Sequence, residues 1–237
     1  MATNTVLEIR REAVFGRELV FAGDGVALAG EIDYPAAPPK RDGVYPLLFI
    51  LPHSGCNTRD AYTHYAQTAL KSGYAVFRWD KRGTGRSGAG GRGSTTQDAV
   101  NAYETALDQP KIDTSTVVIL AQSEGTLMLG SSYGLFARLQ RPRGVILAGN
   151  MLDEKTILAL DTCIQIILGA DDWKDPRIYA RDASKAHNAA YAYGASFYVA
   201  QHANRRLLEN RGDMLAFHSG AEQFMSDWLM NLCPASV

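Results

Sequence analysis

The chain has 237 residues, 46% of them hydrophobic and 21% charged, with 24 Lys and Arg against 25 Asp and Glu and a formal charge of −1. That balance removes the electrostatic ground for nucleic-acid or anionic-membrane binding, and unremarkable Gly and Pro content with 9% aromatics excludes disorder and collagen. The three cysteines are far apart and form no C-x-x-C pair, so a disulfide framework or zinc ribbon has no support. A reducing, cytoplasmic compartment is expected, with no metal and no organic cofactor. Charges interrupt the first thirty residues before any signal-peptide core can form, and the run Leu47 to Leu51 falls far short of the roughly 20 residues of a membrane helix. The length fits one α/β domain over residues 1–237, with residues 1–16 as an N-terminal extension.

In chain order, Glu18 to Ala22 and Val26 to Asp33 flank Gly23, Asp24 and Gly25, which predicts an antiparallel hairpin at a sheet edge. The proline- and charge-rich stretch Ala36 to Gly43 reads as a surface connection. Leu47 to Pro52 is the first short apolar run with the look of a strand buried on both faces. Tyr62, Tyr65, Ala66, Ala69 and Leu70 then repeat at helical spacing. Tyr74 to Trp79 is a second buried strand, followed by a Gly/Ser/Arg-rich loop from Gly83 to Gly93 and a helix from Gln97 to Leu107. Further strands are predicted at Thr116 to Ala121, Gly144 to Ala148, Ile164 to Leu168 and Ala195 to Ala200. Helices are expected from Asp182 to Tyr193 and along the stripe Ala221, Phe224, Met225, Trp228, Leu229 and Leu232. Strands alternating with helices imply right-handed crossovers and a mostly parallel sheet covered on both sides, an α/β fold.

The segment Val117 to Met128 contains Ala121-Gln122-Ser123-Glu124-Gly125 where a buried strand should give way to a helix. This is small-x-Ser-x-Gly in the context of a nucleophile elbow, a strained turn at which bulky flanking residues would clash. A serine there also gains from the positive end of the helix dipole when its oxygen becomes negative. The competing reading is that Ser123 simply caps the helix.

On these residues the chain resembles the α/β-hydrolase family, from about Glu18 to Leu232. Leu51-Pro52-His53-Ser54-Gly55-Cys56-Asn57 is similar to the family turn that donates an oxyanion-hole amide, which implies the backbone of Ser54 as one donor and that of Glu124 as the other. Asp80-Lys81-Arg82-Gly83-Thr84-Gly85-Arg86-Ser87 is similar to a structural loop of family esterases and peptidases. The family order Ser, acid, His leaves His187, His202 and His218 as bases. His202 follows a strand end and is preferred; His187 is expected on the surface of a helix, and His218 to cap the last one. Ile164 to Trp173 supplies Asp172 as the favoured acid, with Asp171 beside it and Asp153 one strand earlier as alternatives.

The resemblance implies a serine hydrolase acting on a small-molecule ester or amide through an acyl-enzyme. Only Asn150 to Thr162 separates two strands where relatives carry a lid, so an open site suited to small or medium acyl groups is expected. Two other readings stand beside it. One is a ligand-binding protein of the same fold without turnover. The other is a dinucleotide-dependent oxidoreductase, raised by G-x-G-x-x-G at Gly83 to Gly88 and weakened by the late start of the next helix.

Overall fold

The computed structural model describes residues 15–39 and 43–232. The expected N-terminal extension therefore lies outside the described residues, apart from its last two positions. Eight strands form one sheet: β1 (Phe15–Ala22), β2 (Ala27–Tyr34), β3 (Tyr45–Leu51), β4 (Ala75–Trp79), β5 (Ile112–Gln122), β6 (Gly144–Ala148), β7 (Cys163–Gly169) and β8 (Ala195–Ala200). Their spatial order is β1-β2-β4-β3-β5-β6-β7-β8. β1 pairs antiparallel with β2 and β2 antiparallel with β4, while every pair from β4 onward is parallel. The predicted hairpin and all six predicted central strands are present.

The strands alternate their side chains between two cores, as a pleated chain must. Leu47, Phe49 and Leu51 of β3 join one core, and Leu48 and Ile50 join the other. The first core is closed by α2 (Thr95–Leu107), α3 (Glu124–Leu139) and α4 (Ala183–Ala190), through residues such as Tyr103, Phe136 and Ala183. The second is closed by α1 (Thr63–Lys71) and α5 (Ser219–Asn231), through Tyr65, Ala69, Met225 and Leu229. Burial on both faces explains the unbroken apolar runs. Phe49 meets Tyr103 edge to face at 5.2 Å between ring centroids, and each such fully buried side chain contributes about 1.5–3 kcal/mol.

Several boundaries differ from expectation for identifiable reasons. β5 starts at Ile112 because a register shift beside Pro46 and Leu47 lets the polar stretch Asp113 to Thr116 join the strand. Between Asn150 and Thr162 the chain forms only a single 3-10 turn, Thr156–Ala159. A second, two-stranded sheet was not predicted: β9 (Leu208–Arg211) and β10 (Met214–Phe217) pair across Gly212 at φ 63°. Its strands are short and mostly exposed, so they carry little hydrophobic signal; Phe217 is anchored on His64 and Tyr65.

The glycine-rich loop does not open into a helix, since α2 starts only at Thr95, capped by Ser94 Oγ accepting from Gln97 N. Asp80, 2% exposed, accepts hydrogen bonds from the amides of Arg59 and Arg86. A β-carbon on Gly85 would collide with the Asp80 carboxylate at 2.3 Å. The loop is held by this carboxylate and leaves no helix N-terminus facing it to receive a pyrophosphate.

Candidate active site

β5 ends at Gln122 and α3 begins at Glu124, with Ser123 between them at φ 53°, ψ −119°. A non-glycine residue held there costs about 1–3 kcal/mol, a strain that packing must sustain. Ser123 N donates to Ala148 O at 2.8 Å, and Ser123 O accepts from both the amide and the hydroxyl of Thr126, at 2.8 and 2.7 Å. On the far side of the bend a β-carbon on Gly125 would lie 2.8 Å from Leu51 O and 2.9 Å from Pro52 O. The need for a small residue two places after the serine is thus a backbone collision with the end of β3. Ser123 makes no side-chain capping bond to α3, which removes the capping explanation. Its Oγ approaches Met151 Sδ at 3.9 Å.

Beside the elbow stand His53 and Glu124, with His53 Nδ1 3.7 Å from Glu124 Oε2. His53 is neutral, because Nδ1 accepts a hydrogen bond from Gly55 N at 2.7 Å and so carries no proton. Burial lowers its pKa, as does the Lys81 ammonium, against the pull of Glu124. Burial raises the Glu124 pKa, but hydrogen bonds from its own amide and the Ser123 hydroxyl, together with the Arg205 charge, outweigh this and hold it below its ordinary value. Ser54, expected to offer an oxyanion amide, is exposed in the turn next to His53.

The acid candidates separate clearly. Asp171 is exposed, and its amide donates to Ala203 O at 3.0 Å. Asp153 is committed to the 3-10 turn, its carboxylate accepting from the amides of Lys155 and Thr156. Asp172 has both carboxylate oxygens buried with no hydrogen-bond partner. A β-carbon on Gly149, just past β6, would lie 3.8 Å from its Oδ2. Lys174, 4% exposed and 3.8 Å above the Trp173 ring, is coupled electrostatically to Asp172 and Glu124; burial nevertheless lowers its pKa.

The histidines divide differently from the sequence reading in one case. His187, expected on the surface, is fully buried, with Nε2 at 2.9 Å from Leu160 O and its ring against Tyr191. The correction has a packing cause: the 3-10 turn beyond β6 folds over α4 and covers it. His218 does cap α5, Nδ1 accepting from Ala221 N at 3.2 Å. His202 lies just past β8 at φ 61°, exposed, and among the described residues its ring makes no hydrogen bond or ion pair with Ser123 or Asp172. After it the chain turns back over the strand ends, where Arg205 O accepts from Gln122 Nε2 at 3.1 Å. A β-carbon on Gly149 would meet Arg205 O at 2.7 Å, and one on Gly169 would meet Ala203 O at 2.2 Å, so both glycines make room for this return.

Met151, Lys174 and Arg205 were not anticipated at the site, and none of the three carries a local motif. Among the described residues, no group of three or more His, Cys, Asp or Glu side chains could hold a metal ion, and no helix is long and apolar enough to cross a membrane.

A parallel sheet in this order, with a strained serine bend after its fifth strand, defines an α/β-hydrolase fold. The family model described as serine aminopeptidase, S33, matches residues 47–212, and the chain belongs to that family. Among solved structures it is similar to a CIB-like hydrolase of Thermoplasma acidophilum, with TM-score 0.65 and 13% identity over 92% of this chain and 100% of that one. It is also similar to an α/β serine hydrolase without lid from Xanthomonas campestris, with TM-score 0.64 and 16% identity over 94% and 97% of the two chains. A dienelactone hydrolase-like promiscuous phosphotriesterase from metagenomic libraries aligns with TM-score 0.63 and 17% identity over 93% and 97%. No curated protein matches the chain.

Proposed function

We propose that this chain is a carboxylesterase-like serine hydrolase that cleaves small or medium acyl esters through an acyl-enzyme, with Ser123 as nucleophile. The observation that carries the reading is the Ser123 backbone at φ 53° with its hydroxyl free of any capping role. Strain of this kind persists where the surroundings hold a reactive side chain outward.

Ser123 Oγ attacks the carbonyl carbon while His202 takes its proton, and the tetrahedral oxyanion is held by the amides of Ser54 and Glu124. His202 then returns the proton to the leaving alcohol as the carbon–oxygen bond breaks. Water, deprotonated by the same imidazole, releases the acid and restores the serine. Asp172 fixes the imidazole tautomer and stabilises its cation. This role is supported by its buried, unpartnered carboxylate, which lacks the one N–H donor such a ring supplies. The turn at 201–207 must carry His202 inward for the chemistry.

A fluorophosphonate probe tests the reading. A mass adduct on Ser123 is expected, and an intact protein that stays unlabelled rejects an activated nucleophile. The exposed ring of His202 favours one second reading, a binding protein of the same fold without turnover. Ligand binding with no labelling and no ester cleavage would select it.

A further inference from the structure

α3 and the segment after β6 diverge below the elbow and leave a cavity of about 520 Å³. Leu127, Met128 and Ser131 form one wall, and Leu152, Lys155, Thr156 and Ala159 form the other. Gly130 lets the walls approach at the base, because a β-carbon there would meet Leu152 Cδ2 at 2.8 Å. Small-ligand sites occupy about 300–1,000 Å³ and are mainly apolar with a few polar groups, which describes this groove, whose polar lining is Lys155 and the hydroxyls of Ser131 and Thr156.

Its position relates it to Ser123. Met151, whose sulfur is 3.9 Å from Ser123 Oγ, immediately precedes Leu152 of the groove wall. Leu127 and Ser131 lie one and two helical turns beyond the serine, about 6 and 12 Å along the axis. On the other side of Met128, toward Leu51 and Trp79, the recess holds only about 20 Å³. Of these two recesses, only the one beyond Met151 is large enough for an apolar chain.

We propose that this groove is the acyl subsite and that it accepts an unbranched aliphatic chain longer than acetyl. The proposal rests on Ser123 being the acylated residue. It extends that reading by naming the acyl class and the walls that select it.

Two measurements keep the two claims apart. In Ser123→Ala protein labelled with 13C at the methionine methyls, octanoate is expected to shift Met128 and Met151 signals, whereas acetate is not. Ala159→Trp and Ser131→Trp, which plug the exposed mouth from opposite walls, should each abolish the octanoate shifts. In active protein, kcat/KM for p-nitrophenyl esters should rise roughly tenfold or more from acetate to octanoate. The plugs should remove that rise while leaving acetate cleavage within about twofold. Absent octanoate shifts, shifts that survive both plugs, or a chain-length profile the plugs leave intact would overturn the groove. Octanoate shifts in a protein that no fluorophosphonate labels would support the groove and reject the nucleophile.

Discussion

The hydroxyl of Ser123 faces the sulfur of Met151 at 3.9 Å and has no histidine ring on it. A thioether is a weak acceptor that takes no proton, so this contact does not activate the hydroxyl. Replacing Ser123 by Ala should remove turnover of p-nitrophenyl butanoate by about 10³-fold or more, while circular dichroism and the urea midpoint stay native, because Ala keeps the β-carbon and with it the same backbone strain. Unchanged turnover would move the nucleophile elsewhere.

The two C-terminal histidines offer a direct contrast. His202→Ala should cost about 10³-fold in kcat with the urea midpoint unchanged, since its exposed ring makes no hydrogen bond or ion pair with a described residue. His218→Ala should change kcat less than about threefold yet cost about 1 kcal/mol of stability, because it deletes the cap on α5. The reverse ranking in kcat would assign the base to His218.

Gly125→Ala places a carbon 2.8 Å from Leu51 O and 2.9 Å from Pro52 O, both backbone atoms that cannot rotate away. A loss of about 1–3 kcal/mol in urea unfolding is expected. Activity should fall with it, because β3 and the turn carrying Ser54 would be pushed off the elbow. A neutral result would mean that the bend tolerates a side chain there.

His64 predicts an acid-sensitive fold. Its ring packs on Tyr65 at 3.9 Å and Phe217 at 4.9 Å between centroids, and its Nε2 is buried without a partner. Burial, helped by the Arg206 charge, lowers its pKa from 6.5 to about 4. The unfolded chain therefore protonates first, so stability is full above pH 6.5 and falls as the pH drops from 6.5 toward about 4. The loss by the end of that window is about 2–4 kcal/mol. His64→Phe should flatten this part of the profile, and urea midpoints at pH 7 and 4.5 for both proteins would check it.

Ser123 and Gly125 were legible because an elbow is a local event: a buried strand, a tight bend and a helix start within eight residues, and each leaves its mark on residue type. The central strands were legible for a related reason, since burial on two faces makes nearly every position apolar, and the edge strand β8, only partly buried, still kept a short apolar run. The hairpin at Leu208–Phe217 escaped because its exposed strands are under no such pressure. His187 was misplaced because what buries it comes from another part of the chain, around Leu160.

The sequence by itself determined the order of strands and helices, the double-sided sheet and the bend that presents Ser123, because periodicity, small-residue spacing and turn chemistry act over a few neighbouring residues. Only the tertiary structure decided which carboxylate is buried without a partner, that Met151 lies against the serine, and that the chain after β8 leaves His202 exposed and lays Arg205 across the strand ends. Those relationships join residues tens of positions apart, and their geometry depends on how loops pack over the sheet edge, where no repeating pattern constrains the residue type.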